Sequence, residues 1–334
     1  MPGVPVVDIS ANPGTVGADL DEICRTVGFF QVTGHGVPRD VSGPAWTLAT
    51  RFFDLPPEDK LSVARPTPEY PYGYIPLAGE SLSQSMAATA PAGPGTVPPA
   101  SAIAPASVPP DLKEVFNIGP PGRPSHEFAD PDEAWAYSPS LWPAALPEAR
   151  SAWTAYYDVM RDLGDRLMSL FARGLGLPPG FFAGQTGQGA NALRAVNYPA
   201  RAAEPLPGQL RAGPHTDYGT LTILRQDDVG GLEVLDPGGT WTGVEPVPGA
   251  FVINIGDLMA RWTNDRWRST LHRVVDPPGS GRERRQSMPY FQNANWSAQI
   301  ACLPTCLAPG DRPRYAPVLA GPHLMAKFRR SVTL

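Results

Sequence analysis

Cysteine, long apolar runs and clusters of basic charge are all scarce in this chain of 334 residues. Cys24, Cys302 and Cys306 are an odd number of cysteines without Cys-x-x-Cys spacing, which argues against a disulfide framework or a zinc site and fits a reducing cytoplasm. No run approaches the roughly 18 to 20 apolar residues of a membrane helix. The N-terminus, MPGVPVVDIS, lacks the basic start and apolar stretch of a secretory signal. We therefore expect a cytoplasmic protein that does not span a membrane.

The charge balance gives no sign of a nucleic-acid partner. The formal net charge is -5, and the arginines are scattered along the chain, whereas nucleic-acid-binding domains concentrate basic residues on one face. Hydrophobic residues make up 42% and charged residues 18%, which is typical of a globular chain with a sizeable core. The composition leaves the oligomeric state open.

Residues 1–190 form the first region, in which helical patterns dominate. Apolar residues at helical spacing predict helices over 16–27, 41–54 and 144–176, and short apolar runs predict strands at 4–9 and 29–32. We therefore expect a helical and strand region that precedes the rest of the fold.

Within that region, the segment 87–110 has a distinct composition. It consists almost purely of Ala, Pro, Gly, Ser, Thr and Val. It can build neither a helix nor a strand ladder, and it lacks the large apolar residues that a core requires. We interpret it as a flexible insertion. A lid over an active site and a surface insertion without a role are both open, and the second is slightly favoured.

From residue 192 onward the pattern changes to short strands, among them LRAVNYP, GTLTIL, GLEVL, AFVINIG and SMPYF. Gly, Pro and Asp separate these strands without intervening helices, which indicates an antiparallel sandwich or small barrel. No GxGxxG follows a strand and no P-loop is present, so a nucleotide-binding fold is disfavoured. The sequence predicts an α+β chain in which 191–300 form a β core and 301–334 form a C-terminal segment with a helix.

A possible metal site begins with His215 and Asp217, in the segment GPHTDYGTLTIL. Residues i and i+2 of a strand face the same way, so this imidazole and carboxylate would project together into the core. His272 lies in the apolar run STLHRVV, where a polar group must be paired or coordinate something. Two imidazoles and a carboxylate are typical of Fe(II) oxygenases, although zinc accepts the same ligands. Because an HxD pair alone is a weak signal, the site needs a second feature.

The second feature is Arg285 with Ser287, in the segment RRQSMPYF. The two side chains again share a strand face. A guanidinium matches a carboxylate with two parallel hydrogen bonds, and a hydroxyl adds a third. A salt-bridging surface arginine is the alternative, but the order and spacing favour a carboxylate socket that faces the metal.

With these residues in place, the sequence resembles the isopenicillin N synthase-like family of Fe(II)- and 2-oxoglutarate-dependent oxygenases. The resemblance covers nearly the whole chain through PVVDIS, GFFQVTGHGVP, FFDLPPEDK, DLKEVFNIGPP, RAGPHTDYGTLTIL, GGLEVL, VINIGDLMARWTND and STLHRVV. It implies a double-stranded β-helix, or jelly-roll, core with flanking N-terminal helices. It also implies that His215, Asp217 and His272 bind Fe(II), and that Arg285 and Ser287 bind the distal carboxylate of 2-oxoglutarate.

The same resemblance adds Tyr198, in VNYPA, as a further contact to that carboxylate. The chain departs from the common plant pattern at Val196, where many plant members have an asparagine near the other end of the cosubstrate. Asn197 is adjacent, but on a strand it points the opposite way. The sequence leaves open what makes that contact here.

The implied activity is the oxidation of a small molecule with O2. Decarboxylation of 2-oxoglutarate to succinate and CO2 would accompany attack on a substrate C–H bond. We expect hydroxylation or desaturation, and a tailoring step in secondary metabolism is the leading hypothesis by analogy. The alternatives are an isopenicillin N synthase-like oxidase that closes rings without 2-oxoglutarate, and a non-catalytic metal-binding barrel.

Four side chains are candidates for substrate binding: Arg194, Tyr218, Phe291 and Asn293. Tyr218 directly follows a predicted metal ligand, and Phe291 and Asn293 share a strand face by even spacing. Together they suggest an aromatic clamp with a guanidinium and an amide donor, suited to a flat polar ring. These residue types resemble thymine hydroxylases within the family, so a nucleobase hydroxylase is a further alternative. Members with quite different substrates also share the positions.

Overall fold

A computed structural model describes residues 3–83, 109–201, 203–277 and 283–332. Most of the segment 87–110, interpreted above as an insertion, lies outside these ranges. No helix within the described ranges is long and apolar enough to cross a membrane.

Two sheets form the centre of the molecule. The strands are β1 (Val6–Asp8), β2 (Phe29–Thr33), β3 (Gly73–Ile75), β4 (Glu114–Ile118), β5 (Ala192–Tyr198), β6 (Ala212–His215), β7 (Leu221–Gln226), β8 (Leu232–Leu235), β9 (Trp241–Gly243), β10 (Phe251–Ile255), β11 (His272–Val274), β12 (Arg285–Gln292), β13 (Gln299–Ile300) and β14 (Val318–Leu319). The major sheet has the order β1-β2-β10-β7-β12-β5-β4-β3, and the minor sheet has the order β6-β11-β8-β9. In the described residues no strand pairing joins these two sheets into a closed barrel.

Helices connect the strands, and three of those described contact the major sheet. They are α1 (Pro13–Thr26), α2 (Arg39–Phe53), α3 (Pro57–Leu61), α4 (Pro131–Ala136), α5 (Ala149–Gly174), α6 (Ala183–Thr186), α7 (Asp257–Trp262) and α8 (Ala320–Val332), with a short 3₁₀ turn at Pro304–Cys306. The long α5 contacts α1 and α2 and also reaches β12 and β7.

The two faces of the major sheet bury different cores, because successive side chains of a strand alternate between them. On β12, Met288 and Tyr290 join the large cluster that includes the apolar side of α5. On the inner face, Val196 packs in a second cluster with residues of the minor sheet such as Val234 and Val274. The inner face and the minor sheet therefore enclose the interior into which functional side chains can project.

The first region of the chain, residues 1–190, contributes strands to both edges of the major sheet. β2 pairs antiparallel with β10, and β4 pairs antiparallel with β5. The sequence pattern indicated β1 and β2, but it did not indicate β4, whose polar residues Glu114 and Asn117 are buried with hydrogen-bond partners. The β core is thus built from strands of both regions.

Gly28 positions the start of β2 beside His272, one of the predicted metal ligands. α1 ends just before it, and the Gly28 N–H donates to the Ile23 carbonyl. Its φ of +68° is left-handed, and an added Cβ would lie 2.2 Å from the Arg268 carbonyl oxygen, so only glycine fits. The next residue, Phe29, packs edge-on against the ring of His272, with centroids 5.0 Å apart.

Candidate metal and cosubstrate site

His215 and His272 face each other across the minor sheet. They are direct partners in the β6–β11 pairing, and their ring centroids are 4.2 Å apart. Asp217 follows two residues after His215, just beyond the end of β6. One ligand atom from each of the three side chains lies within 4.8 Å of the others. The structure therefore brings the three predicted ligands together.

Backbone carbonyls orient both imidazoles. His215 Nδ1 lies 2.8 Å from the Gly213 oxygen, and His272 Nδ1 lies 3.1 Å from the Thr270 oxygen. A carbonyl only accepts, so each Nδ1 must carry the proton and each Nε2 keeps its lone pair. This is the tautomer that a metal-binding histidine needs.

Two neutral donors orient the carboxylate of Asp217. Its Oδ2 accepts hydrogen bonds from Thr222 Oγ1 at 2.5 Å and from Asn254 Nδ2 at 2.7 Å. Within the part of the chain that the structure describes, Oδ1 has no hydrogen bond. The carboxylate is held by one oxygen, and the other is available for a metal.

The protonation states suit a cation. Burial lowers the pKa of His215 to about 3, and the neighbouring His272 adds to the effect. Burial by itself would raise the pKa of Asp217, but the two imidazoles and the hydrogen bonds from Asn254 and Thr222 outweigh it and leave the pKa below its usual value. A neutral imidazole at His215 and an ionised carboxylate at Asp217 fit a divalent iron.

Arg285 lies at the other end of the interior and is 1% exposed. Its Nε donates to the Gly230 carbonyl at 2.9 Å, and its Nη2 donates to Gln226 Oε1 at 3.0 Å. The guanidinium lies 4.9 Å from the ring centroid of Tyr198, its direct partner across β12 and β5. Ser287 is buried two residues further along β12 on the same face.

Two buried donors without an acceptor lie at this end of the interior. Among the described residues, Arg285 Nη1 and Gln226 Nε2 are buried and have no hydrogen-bond partner. An unpaired buried donor costs roughly 1–3 kcal/mol, and more when it is charged. A ligand carboxylate would satisfy the guanidinium, so the residues present fit the distal end of 2-oxoglutarate.

Two of the four candidate substrate residues line the inner face of the major sheet. Arg194 donates through Nε to Asn117 Oδ1 at 2.5 Å and through Nη2 to Glu80 Oε1 at 2.6 Å. Phe291 is the cross-strand partner of Thr222, which binds the metal-ligand carboxylate. Both side chains therefore lie on the wall that adjoins the metal site.

The other two candidates lie beside the C-terminal helix. Tyr218 and Asn293 line a small cleft closed by Ala320 to Leu324 of α8. One N–H of the Asn293 amide donates to the Ala190 carbonyl at 2.7 Å, which orients this side chain. The structure therefore places Tyr218 and Asn293 in one cleft.

Sequence reasoning did not single out the polar residues that hold the ligand strand. Asp111 accepts hydrogen bonds from the Gly213 N–H at 3.0 Å and from Lys113 Nζ at 3.0 Å. The only sequence signal was the placement of these charged residues beside the apolar run of DLKEVFNIG. Asn197 donates to Glu114 on the outer face, while Val196 packs inside, as strand alternation predicts.

Comparison with known proteins identifies the family. Residues 190–294 match the 2OG-Fe(II) oxygenase superfamily, and residues 4–145 match the N-terminal family of non-haem dioxygenase in morphine synthesis. The 2-oxoglutarate-Fe(II) type oxidoreductase hxnY of Emericella nidulans is 33% identical over 98% of this chain and 90% of its own length. Validamycin A dioxygenase of Streptomyces hygroscopicus subsp. limoneus is 34% identical over 90% of this chain and 79% of its own length.

A solved structure has the same fold. It is a full-length Neurospora crassa protein in complex with alpha-KG, and it superposes with a TM-score of 0.81 at 31% identity, covering 99% of this chain and 96% of that one.

The chain therefore belongs to the 2OG-Fe(II) oxygenase superfamily. It is a 2-oxoglutarate-dependent dioxygenase whose cofactors are Fe(II), 2-oxoglutarate and O2. Its structural neighbours are 2OG oxygenases, which have a jelly-roll core, and the described residues of this chain form a large mixed sheet and a smaller antiparallel sheet. The predicted family, enzyme class and cofactors are confirmed.

Proposed function

We propose that the protein hydroxylates or desaturates a small polar molecule in secondary metabolism, with Fe(II) bound by His215, Asp217 and His272. Iron and 2-oxoglutarate together supply the activation of O2 that oxidation of a C–H bond requires, with release of succinate and CO2. The observation that carries the proposal is the convergence of three ligand atoms within 4.8 Å. The tautomers and charge states in which the protein holds these ligands already match metal binding.

The cosubstrate is assigned to the opposite end of the interior. Arg285 would pair with the distal carboxylate, Ser287 would add a hydroxyl donor, and Tyr198 would complete the wall. The buried, unpaired Nη1 of Arg285 supports this orientation, because a carboxylate is the partner that a guanidinium fork fits best. The keto acid end then points toward the metal ligands.

The substrate would lie against the inner wall near Phe291 and Arg194. An aromatic face beside a fixed guanidinium suits a small polar compound. Polar small molecules also appear in the names of similar proteins, including validamycin A dioxygenase and homoarginine-6-hydroxylase. Tyr218 and Asn293 would contribute from the cleft under α8.

The proposal extends to the architecture. We assign the catalytic part of the double-stranded β-helix to residues 191–300. Residues 1–190 add β1 to β4 at the edges of its major sheet and supply flanking helices, and residues 301–334 form a separate C-terminal segment. The packing of α5 on the outer face of β12 supports this arrangement.

The test is a titration followed by turnover. Fe(II) is added anaerobically, and O2 uptake and succinate are then measured with 2-oxoglutarate and a panel of small polar molecules. We expect one equivalent of iron and substrate-dependent succinate. His272→Ala should abolish both. Iron binding without any 2-oxoglutarate turnover across the panel would contradict the proposal, and O2 uptake without succinate would favour the oxidase alternative.

Nucleobase hydroxylation is a second candidate. The same Neurospora crassa protein has been solved in complex with alpha-KG and thymine, and that structure is 31% identical, with a TM-score of 0.80 over 99% of this chain. Incubation with thymine and uracil, followed by mass spectrometry for a gain of one oxygen atom, separates this candidate from the leading one.

A further inference from the structure

Asp257, the first residue of α7, connects the two segments that carry the metal ligands. Its Oδ2 accepts a hydrogen bond from Thr216 Oγ1 at 3.3 Å, and its Oδ1 accepts one from Ser269 Oγ at 2.7 Å. Thr216 lies between the first two ligands, and Ser269 precedes His272 by three residues. One carboxylate thus holds both ligand segments.

The backbone around Asp257 strengthens the same connection. Its N–H donates to the Asp217 carbonyl at 2.7 Å, and the Gly256 N–H donates to the Thr220 carbonyl at 3.0 Å. An added Cβ at Gly256 would lie 2.2 Å from the Gly219 oxygen, so the close approach needs glycine here. The start of α7 is therefore fixed to the loop that follows the carboxylate ligand.

The C-terminal helix α8 reaches the same carboxylate. Lys327 Nζ lies 2.7 Å from Asp257 Oδ2, and the two side chains are only 20% and 17% exposed. The ammonium also lies 5.8 Å from the ring centroid of Tyr218. Because the pair is largely shielded from solvent, screening weakens it less than it weakens a surface ion pair.

We propose that Asp257 is a positioning residue of the iron site, and that Lys327 couples the C-terminal helix to that site. The inference rests on the proposed assignment of the metal ligands. An ionised carboxylate can accept from Thr216, Ser269 and Lys327 together. An asparagine has a single acceptor oxygen, so Thr216 or Ser269 loses its side-chain acceptor, and the ammonium of Lys327 loses its counter-charge. The backbone bonds of residues 256 and 257 would still hold the segment around Asp217.

The test compares Asp257→Asn and Lys327→Met with a matched control, Asp132→Asn. Asp132 pairs with Arg329 on the same C-terminal helix and lies in α4, away from the ligand segments. Anaerobic calorimetry gives the Kd for Fe(II), and the visible spectrum of the Co(II)-loaded protein reports the coordination geometry. We expect Asp257→Asn to raise the Kd roughly tenfold and to change the spectrum. Lys327→Met should raise the Kd by a smaller factor, whereas Lys327→Arg, which keeps the positive charge, should have the wild-type Kd. Asp132→Asn should match the wild type in both measurements.

A double variant covers the case in which Asp257→Asn does not fold. Thr216→Val with Ser269→Ala removes the two hydroxyl contacts and leaves the carboxylate and its ion pair. It should reproduce the weaker binding. Suppose the wild type binds Fe(II) and the folded Asp257 and double variants have the same Kd and the same spectrum. The inference is then wrong, and it is also wrong if Asp132→Asn weakens Fe(II) binding as much as Asp257→Asn does. If the wild type itself binds no Fe(II), the proposed function fails instead.

Discussion

The two ends of the interior differ in how completely their polar groups are satisfied. At the metal end, both histidine Nδ1 atoms and one oxygen of Asp217 have hydrogen-bond partners. At the other end, around the proposed socket for the cosubstrate carboxylate, Arg285 Nη1 and Gln226 Nε2 are buried without a partner among the described residues. The protein thus orients the three proposed metal ligands by itself, whereas the proposed socket keeps donors that a bound acid would complete. Substitutions at each end should therefore separate iron affinity from cosubstrate affinity.

The largest effect is expected from His272→Ala. Loss of one of three ligands should reduce succinate formation by at least about a thousandfold, because the remaining two donors hold iron weakly. Succinate production at saturating 2-oxoglutarate is the measurement. His126→Ala is the matched control, since that histidine is exposed and pairs with Glu133. Turnover above a few per cent of wild type would show that His272 does not bind the metal.

Arg285→Gln should act at the other end. We expect the KM for 2-oxoglutarate to rise roughly 10- to 100-fold, because the variant loses a charge-assisted hydrogen bond to the cosubstrate. The Kd for Fe(II) should stay unchanged. Steady-state kinetics and anaerobic titration measure the two quantities. Arg284→Gln is the control, because this neighbouring arginine contacts Asn197 and Asp54 instead. An equal rise in KM for both variants would refute the socket.

Thr222→Val tests the orientation of the metal ligands. The variant removes one of the two donors to Asp217 Oδ2 with little change in volume. We expect the Kd for Fe(II) to rise about tenfold, as is typical for outer partners of metal ligands, without a change in the KM for 2-oxoglutarate. Thr220→Val is the control, since that hydroxyl donates to the Gln292 carbonyl. Identical iron affinities of the two variants would contradict preorganisation.

The smallest effect concerns the pH dependence of stability. Glu80 is largely buried, which by itself would raise its pKa, but Arg194 and Lys113 lower the pKa to about 2. A depressed pKa adds stability above the unfolded value, and this contribution is lost as pH falls from about 5 toward 2. The unfolding free energy of wild type minus that of Glu80→Gln should drop by about 1 kcal/mol between pH 7 and pH 4. Urea denaturation at both pH values measures it, and a constant difference would contradict the ion pairing.

Local alternation in strands was sufficient to predict which side chains share a face. It paired His215 with Asp217 and Arg285 with Ser287, and the apolar surroundings of His272 singled out a third candidate, which the structure brings beside the first two. Their roles came from the family resemblance and stay predictions. The same rule predicted that Val196 faces inward and Asn197 outward, which the structure shows.

Long-range pairing set the limit of prediction. Arg194 contacts Asn117 and Glu80, which are 77 and 114 residues away, and no local pattern encodes such partners. The predicted clamp of Arg194, Tyr218, Phe291 and Asn293 stays a prediction. β12 ends at Gln292, so strand alternation applies to Phe291 and does not extend to Asn293. The fold class followed from the strand pattern and the family motifs, while β4 was missed because its polar residues are buried by partners from elsewhere.

The mixed origin of the major sheet affects how the chain can fold during synthesis. β2 leaves the ribosome early, yet its antiparallel partner β10 is made much later, and β4 likewise precedes its partner β5. The open edge of β2 must wait through the translation of more than half of the protein, and such edges are prone to mispairing. Nascent chains should therefore need chaperone protection until the last strands emerge, and co-expression of chaperones should raise the yield of folded enzyme.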